Sequence, residues 1–353
     1  MPSPSFPSAL SSRLRAGWVA ALMTLPLLAT ATPVPLAVLG DSDSHGYQDT
    51  VSFPPGSPER GGAHRATTFQ WTEVLARLRG DAIDLGPRAV TGQRGIVARA
   101  LRAVGIDARA PRKHDHLHNL AVSGQTCRDL DEGPTRQVPT LLRLMAADPA
   151  RWQSGVVLIR IGVNSFGKAG DLDRLAADPD DAVVAAVIDD CVARIRGAVD
   201  AVSAAHPGTR FVLVGIFDNS HWSRYVGRWP SPTAQANIAR GLDRFDGPLR
   251  RLAADRPRVA FFDDRAWFAT RWGGRDAAGR PVYRAVPFGP LQVTQSTGDV
   301  PNHTTLADGH AGTAWNAFWA QSLVALLNAR FDLGIPPLGD AELATLLAPA
   351  PAR

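Results

Sequence analysis

Lysine is almost absent from this sequence, and cysteine nearly so. Of 38 basic side chains only Lys113 and Lys168 are lysines; the rest are arginines scattered among 33 acids. No block of like charge occurs. The net charge of +5 therefore reads as a compositional bias, not as the basic stripe of a nucleic-acid binder. Two cysteines, Cys127 and Cys191, are too few for a closed structural zinc site without histidines. Beyond the N-terminus no apolar run approaches the roughly 20 residues that a membrane span needs. Internal repeats are also missing. What is present is ordinary globular composition, 45% hydrophobic and 20% charged over 353 residues. That excludes a disordered chain and allows one large α/β domain with additions.

The N-terminus carries its own signal. Arg13 and Arg15 precede the apolar stretch GWVAALMTLPLLA, which runs out in Ala29-Thr30-Ala31. A positive flank, a short apolar core and a small-x-small exit describe a secretory signal peptide over 1–31, cleaved after Ala31. The expected location is secreted or periplasmic. In an oxidising compartment Cys127 and Cys191 can pair as a disulfide; two buried thiols are the alternative.

Five short runs rich in β-branched and aliphatic residues follow: PLAVL (35–39), LHNLAV (117–122), VVLIRI (156–161), RFVLVGIF (210–217) and RVAFF (258–262). Near-continuous apolar runs suit strands buried on both faces of a parallel sheet. Helical patterns lie between them, over 67–80, 94–105, 180–205, about 233–255 and 313–331. Alternating strands and helices predict βαβ units and a doubly wound sheet. The stretch 45–113 is long for one connection. The stretches 218–232 and 263–305 read as loops, and 332–353 reads as a peripheral tail with one short helix.

The chemistry starts at PLAVLGDSDSHGYQDT, residues 35–50. Asp41, Asp43, His45 and Gly46 mimic the opening of a calcium loop. That loop needs a bidentate acid at its twelfth position, and Ser52 stands there. A serine just past a buried parallel strand is instead exposed at the ligand-binding edge of such a sheet. Taken alone, Gly-Asp-Ser is also a plain strand-ending turn. Three later stretches weigh against that. NLAVSG puts Gly124, and IRIGVNS puts Asn164, at the same edge. LADGHAG puts Asp308 and His310 just before a helix. Serine, histidine and an acid supply nucleophile, base and orienter, and the N–H groups of Ser42 and Gly124 with the Asn164 amide supply an oxyanion hole.

These four stretches, in this order, resemble the blocks of the SGNH hydrolase superfamily, the GDSL-type esterases and lipases. The matches are Ser42 in GDS, Gly124 in NLAVSG, Asn164 in GVNS and His310 in DGH, and the resemblance covers about residues 35–330. It implies a flavodoxin-like three-layer α/β/α sandwich around a five-stranded, mainly parallel sheet. It implies catalysis by Ser42, His310 and Asp308 without metal or organic cofactor. The expected substrate is a small-molecule or glycan ester, with short acyl groups favoured because no apolar lid-like helix is recognisable and the Trp-rich loops and export suit a carbohydrate; a lipase or arylesterase, an O-acyltransferase on the same scaffold and a non-catalytic carbohydrate-binding module are the alternatives, and nucleic acid is not expected. Two departures stand out. Ser165 replaces the usual Asp of the third block, and Asp308 lies two residues before His310 where the family has three. Ser44 and His303 are rivals for nucleophile and base. His114, His116 and His118 alternate as metal ligands or strand residues do. His45, Trp222 and Trp229 are candidate substrate-lining residues, and Trp267 and Trp272 are further candidates for stacking on a sugar or acyl group.

Overall fold

The structure is a computed structural model that describes residues 1–4 and 32–348. The expected leader over 1–31 falls, but for its first four residues, outside the described residues. The chain divides into Met1–Thr32 and Pro33–Arg353, and every described helix and strand belongs to the second unit. No described helix is long and apolar enough to cross a membrane.

The strands among the described residues are β1 Val34–Gly40, β2 Ile83–Asp84, β3 Arg88–Thr91, β4 Lys113–His116, β5 Val156–Arg160, β6 Arg210–Val214, β7 Val259–Phe262, β8 Val286–Phe288, β9 Leu291–Thr297 and β10 His303–Thr305. The α-helices are α1 Trp71–Leu78, α2 Gly95–Ala103, α3 Gln137–Ala146, α4 Pro149–Trp152, α5 Val163–Phe166, α6 Ala169–Ala177, α7 Ala182–Ala205, α8 Pro232–Asp255, α9 Asp264–Trp272, α10 Thr313–Phe331 and α11 Asp340–Ala344. Five strands form one sheet in the order β2-β1-β5-β6-β7, with every pairing parallel.

The near-continuous apolar runs are explained by two cores. Along β1, Leu36 and Val38 face one core while Ala37 and Leu39 face the other. β5 and β6 divide in the same way: Leu158 and Val212 on one side, Ile159 and Leu213 on the other. The first core lies under α1, α9 and α10, the second under α3, α6, α7 and α8. Helices on both faces of a parallel sheet give the expected three-layer α/β/α sandwich. The long helices are capped by their own sequence. Asp181 accepts from Val183 N and Val184 N at the start of α7, and Ser231 precedes Pro232 at the start of α8, as capping rules require.

Counted among themselves, the sheet strands run 2-1-3-4-5. Their direction of winding reverses between β1 and β5, and ligands bind at the carboxyl ends of the strands at such a switch point. β1 ends at Gly40 and β5 at Arg160, so the turns holding Ser42 and Asn164 flank it.

Three expectations are corrected. LHNLAV is not a regular strand. It meets β1 through one bridge, Val38 to Asn119, and alternate hydrogen bonds, with Leu120 N donating to Val38 O and Val122 N to Gly40 O. Asn119 N–H turns back to His116 O, so the ladder never extends, and the fifth strand of the sheet is β2. The stretch 263–305 is not loop: it holds α9, capped by Asp263 on Ala266 N, an antiparallel β8–β9 hairpin and β10. Strands of three to seven residues rich in polar side chains leave little periodic signal. The C-terminal segment is not peripheral, since Ile335, Leu338, Leu343 and Leu346 are buried in the first core, and Glu342 pairs with Arg79 at 2.6 Å.

Candidate active site

A cavity of about 160 Å³ opens at the switch point, and Ser42, Asn164, Trp222 and His310 line it. These four come from the turn after β1, from α5 after β5, from the 218–232 loop and from the segment before α10. Phe217, Asn219, Arg224 and Tyr225 line it as well. Sequence reading did not single these out; they share only their place after β6, a sheet-edge position.

His310 reaches the cavity with its back supported. Its Nδ1 lies 3.1 Å from Asp308 Oδ1, and its backbone N–H donates to the same oxygen at 3.1 Å. The two-residue spacing thus brings carboxylate and ring together. The Asp308 carboxyl is largely buried, with 12% of its side chain exposed, which alone would raise its pKa. The hydrogen bond and charge of His310 and the Arg60 guanidinium overcome this and hold it well below the usual carboxylate range. No protein acceptor or donor among the described residues engages His310 Nε2.

Around Ser42 the backbone is open. Neither the Ser42 nor the Gly124 N–H donates to a protein acceptor among the described residues. Gly124 has a φ of +82° with empty space where a Cβ would stand, so the left-handed backbone, not crowding, asks for glycine. Asn164 Nδ2 donates to Gln125 O at 3.0 Å, which ties the amide to the Gly124 turn. Gly124 itself is not among the cavity-lining residues. Asp41, directly before Ser42, is fully buried; burial and the neighbouring Asp43 charge push its pKa up to about 8. Its Oδ2 has no hydrogen-bond partner among the described residues.

Other sequence candidates lie elsewhere. Ser44 is buried, with its Oγ on Trp71 Nε1 at 3.2 Å. His303 binds Ser296 Oγ at 2.7 Å. Neither lines the cavity. His114, His116 and His118 take separate partners, Thr50 Oγ1, Gly86 O and Asp84 O. Trp229 is buried with its Nε1 on Asp173 at 3.1 Å, and Trp272 is fully buried against Trp315. Trp267 donates to Ser322 Oγ at 3.1 Å. These indoles pack; of the tryptophans singled out in the sequence Trp222 alone lines the cavity, and its Nε1 donates to Gly309 O at 3.1 Å.

His45 does not line the cavity either. It is 1% exposed and sits between Asp49 Oδ2 at 2.9 Å from Nε2 and Ser123, whose Oγ and N lie 3.0 and 3.2 Å from Nδ1. Burial lowers its pKa, so the ring is neutral. Cys127 and Cys191 are joined in a disulfide, with Cα atoms 5.1 Å apart, linking the segment after Gly124 to α7. Ser165, the departure from the family pattern, accepts from Cys127 N at 3.0 Å and steadies the same segment.

One site neighbour was missed altogether. Arg60, deep in the 45–113 insertion, is 2% exposed and donates through Nη1 to Asp308 Oδ2. It heads three successive left-handed residues, Arg60, Gly61 and Gly62, with φ of 58°, 98° and 50°. For a non-glycine residue that conformation costs about 1–2 kcal/mol. PERGGAH gives no periodic or motif signal for this; the adjacent glycines mark only a turn.

No family model matches the chain, and no curated protein matches it. Among solved structures, an extracellular lipase from Streptomyces rimosus is similar with a TM-score of 0.38 at 18% identity, covering 84% of this chain and 99% of that one. Phospholipase A1 from Streptomyces albidoflavus NA297 gives a TM-score of 0.34 at 14% identity, with coverage of 84% and 99%.

Proposed function

We propose that this protein is an exported serine ester hydrolase of the SGNH type. The observation that carries the reading is the meeting of Ser42, Asn164 and His310 on one cavity at the switch point. Ser42 Oγ attacks the ester carbonyl carbon while His310 Nε2 takes its proton. Asp308 holds the proton on Nδ1 and stabilises the imidazolium. The oxyanion is held by the Ser42 and Gly124 N–H groups and the Asn164 amide. Collapse breaks the bond to the alcohol, which leaves with the proton from His310, and the acyl group stays on Ser42. Water then repeats the cycle: its proton goes to His310, the acid leaves, and Ser42 recovers its proton. No step calls on a metal or an organic cofactor.

The cavity supports short acyl groups, such as acetyl on a carbohydrate. At about 160 Å³ it is smaller than the roughly 300–1,000 Å³ that take drug-sized ligands. A second reading, esters presented at a lipid surface, is favoured by α2. That helix was not recognised as apolar and lid-like from sequence, yet Ile96 and Val97 on it, and Val104 and Ile106 just after it, are exposed. Hydrolysis of p-nitrophenyl esters of rising chain length tests both. Activity that peaks at acetyl or butyryl and vanishes in Ser42→Ala supports the first reading. A peak at long chains, raised by lipid vesicles, replaces it with the second. Activity that survives Ser42→Ala refutes the nucleophile.

A further inference from the structure

We infer that Arg60 is a positioning residue that locks the Asp308–His310 pair to the loop carrying Gly124; this rests on the reading of His310 as the base. Arg60 meets both halves of the site with one side chain. Nη1 donates to Asp308 Oδ2 and lies 2.8 Å from His310 Nδ1. Nη2 donates to Ser123 Oγ at 3.1 Å, one residue before Gly124. The Arg60 backbone N–H adds a second bond to Asp308 Oδ2 at 2.9 Å. The guanidinium is seated over the Phe53 ring at 4.3 Å and near Tyr47 at 5.5 Å.

The two oxygens of Asp308 are thereby divided. Oδ2 belongs to Arg60, through side chain and backbone, and Oδ1 belongs to His310, through Nδ1 and backbone N–H. Fixing Oδ2 fixes which oxygen faces the ring. A guanidinium only donates, so an unprotonated Nδ1 accepts from Arg60 Nη1, 2.8 Å away, and a protonated Nδ1 donates to Asp308 Oδ1, 3.1 Å away. The charged carboxylate is the stronger of the two partners, and the proposed reaction uses that second arrangement, with Nε2 as the base. A lysine cannot copy this, because one ammonium lacks the planar fork that reaches Asp308 and Ser123 in different directions. The left-handed backbone at Arg60 fits the same account: such a conformation persists where the surroundings over-determine it. The insertion between β1 and the Gly124 segment thus completes the site.

The test uses the full chain with Arg60→Ala, Arg60→Lys and Ser123→Ala, assayed on the best p-nitrophenyl ester beside the wild type and Ser42→Ala. Arg60→Ala is expected to lower kcat by about 10²-fold, the scale of a misplaced catalytic group, with KM nearly unchanged. Millimolar guanidinium restores part of that kcat, and Arg60→Lys keeps less activity than the rescued variant. Ser123→Ala, which removes the Nη2 contact together with the hydroxyl's bond to His45 Nδ1, lowers kcat less and leaves KM alone. If Arg60→Ala fails to fold, Arg60→Lys and Ser123→Ala decide: wild-type kcat in both overturns the inference. So does an Arg60→Ala variant whose kcat is unchanged or raised, or whose loss lies wholly in KM. An inactive wild type, or an active Ser42→Ala, marks failure of the esterase reading instead.

Discussion

Two aspartate–histidine pairs lie near serines in this molecule, and they differ in what the imidazole has left to give. In the first, Asp308 holds His310 Nδ1 at 3.1 Å and Nε2 is open at a cavity shared with Ser42. In the second, Asp49 holds His45 Nε2 at 2.9 Å, and Ser123 occupies Nδ1 with its hydroxyl and its backbone N–H. Both nitrogens of His45 are used and the ring is buried. Composition alone would rank the two alike. Exposure and one free nitrogen separate His310, the proposed base, from a strut that holds the Ser123–Gly124 turn. Arg60 stands between them, touching Asp308 and Ser123 at once.

The largest effect that sharpens this contrast is on rate. His310→Ala is expected to cut kcat/KM by about 10⁴-fold or more, with the fold intact by circular dichroism. His45→Ala should act on stability, lowering it by about 2–3 kcal/mol in urea unfolding, because it strips buried Asp49 and Ser123 of a partner. Equal losses of rate would erase the distinction. Reduction of Cys127–Cys191 comes next. The bridge spans 64 residues of chain, so opening it should cost about 4 kcal/mol of stability, read as a lower midpoint in denaturant.

How much of this was legible in the sequence divides along physical lines. Buried parallel strands write continuous apolar runs, and 35–39, 156–161, 210–217 and 258–262 each hold a sheet strand, the third run continuing past the end of β6 at Val214. Residues at strand ends inherit their place from the strand, so Ser42 and Asn164 could be put at one edge. LHNLAV misled because burial, not pairing, makes it apolar. Arg60 and His45 were out of reach for another reason: their roles come from contacts across 248 and 78 residues of chain, and no local pattern encodes such a meeting. Trp229 and Trp272 misled because an indole in a loop-like stretch looks the same whether it packs inward or faces a ligand.

Smaller effects test the edges of the comparison. Asn164→Ala is expected to lower kcat by about 10²–10³-fold, as the loss of one oxyanion donor does. Its stability should barely change, since only the Gln125 bond is lost. The pH dependence of unfolding comes last. Asp308 and Asp49 both titrate lower folded than unfolded. Their stabilisation is complete above the unfolded value of about 3.9 and is lost as pH falls below it toward the folded values. Asp41 runs the other way: held at about 8, it favours the fold at low pH, and that contribution fades as pH rises from about 4 through about 8. Asp41→Asn should flatten the alkaline side of a melting-temperature profile and leave the acid side steep. A profile unchanged by the substitution would remove the buried, protonated Asp41 from the account.

The most direct test of the central claim is covalent. The protein is treated with a fluorophosphonate, which reacts with an activated serine, and the adduct is located by peptide mass spectrometry. The account predicts one adduct per chain, on Ser42, absent in His310→Ala and present in His45→Gln. An adduct on Ser123 would move the chemistry to the buried pair and contradict it.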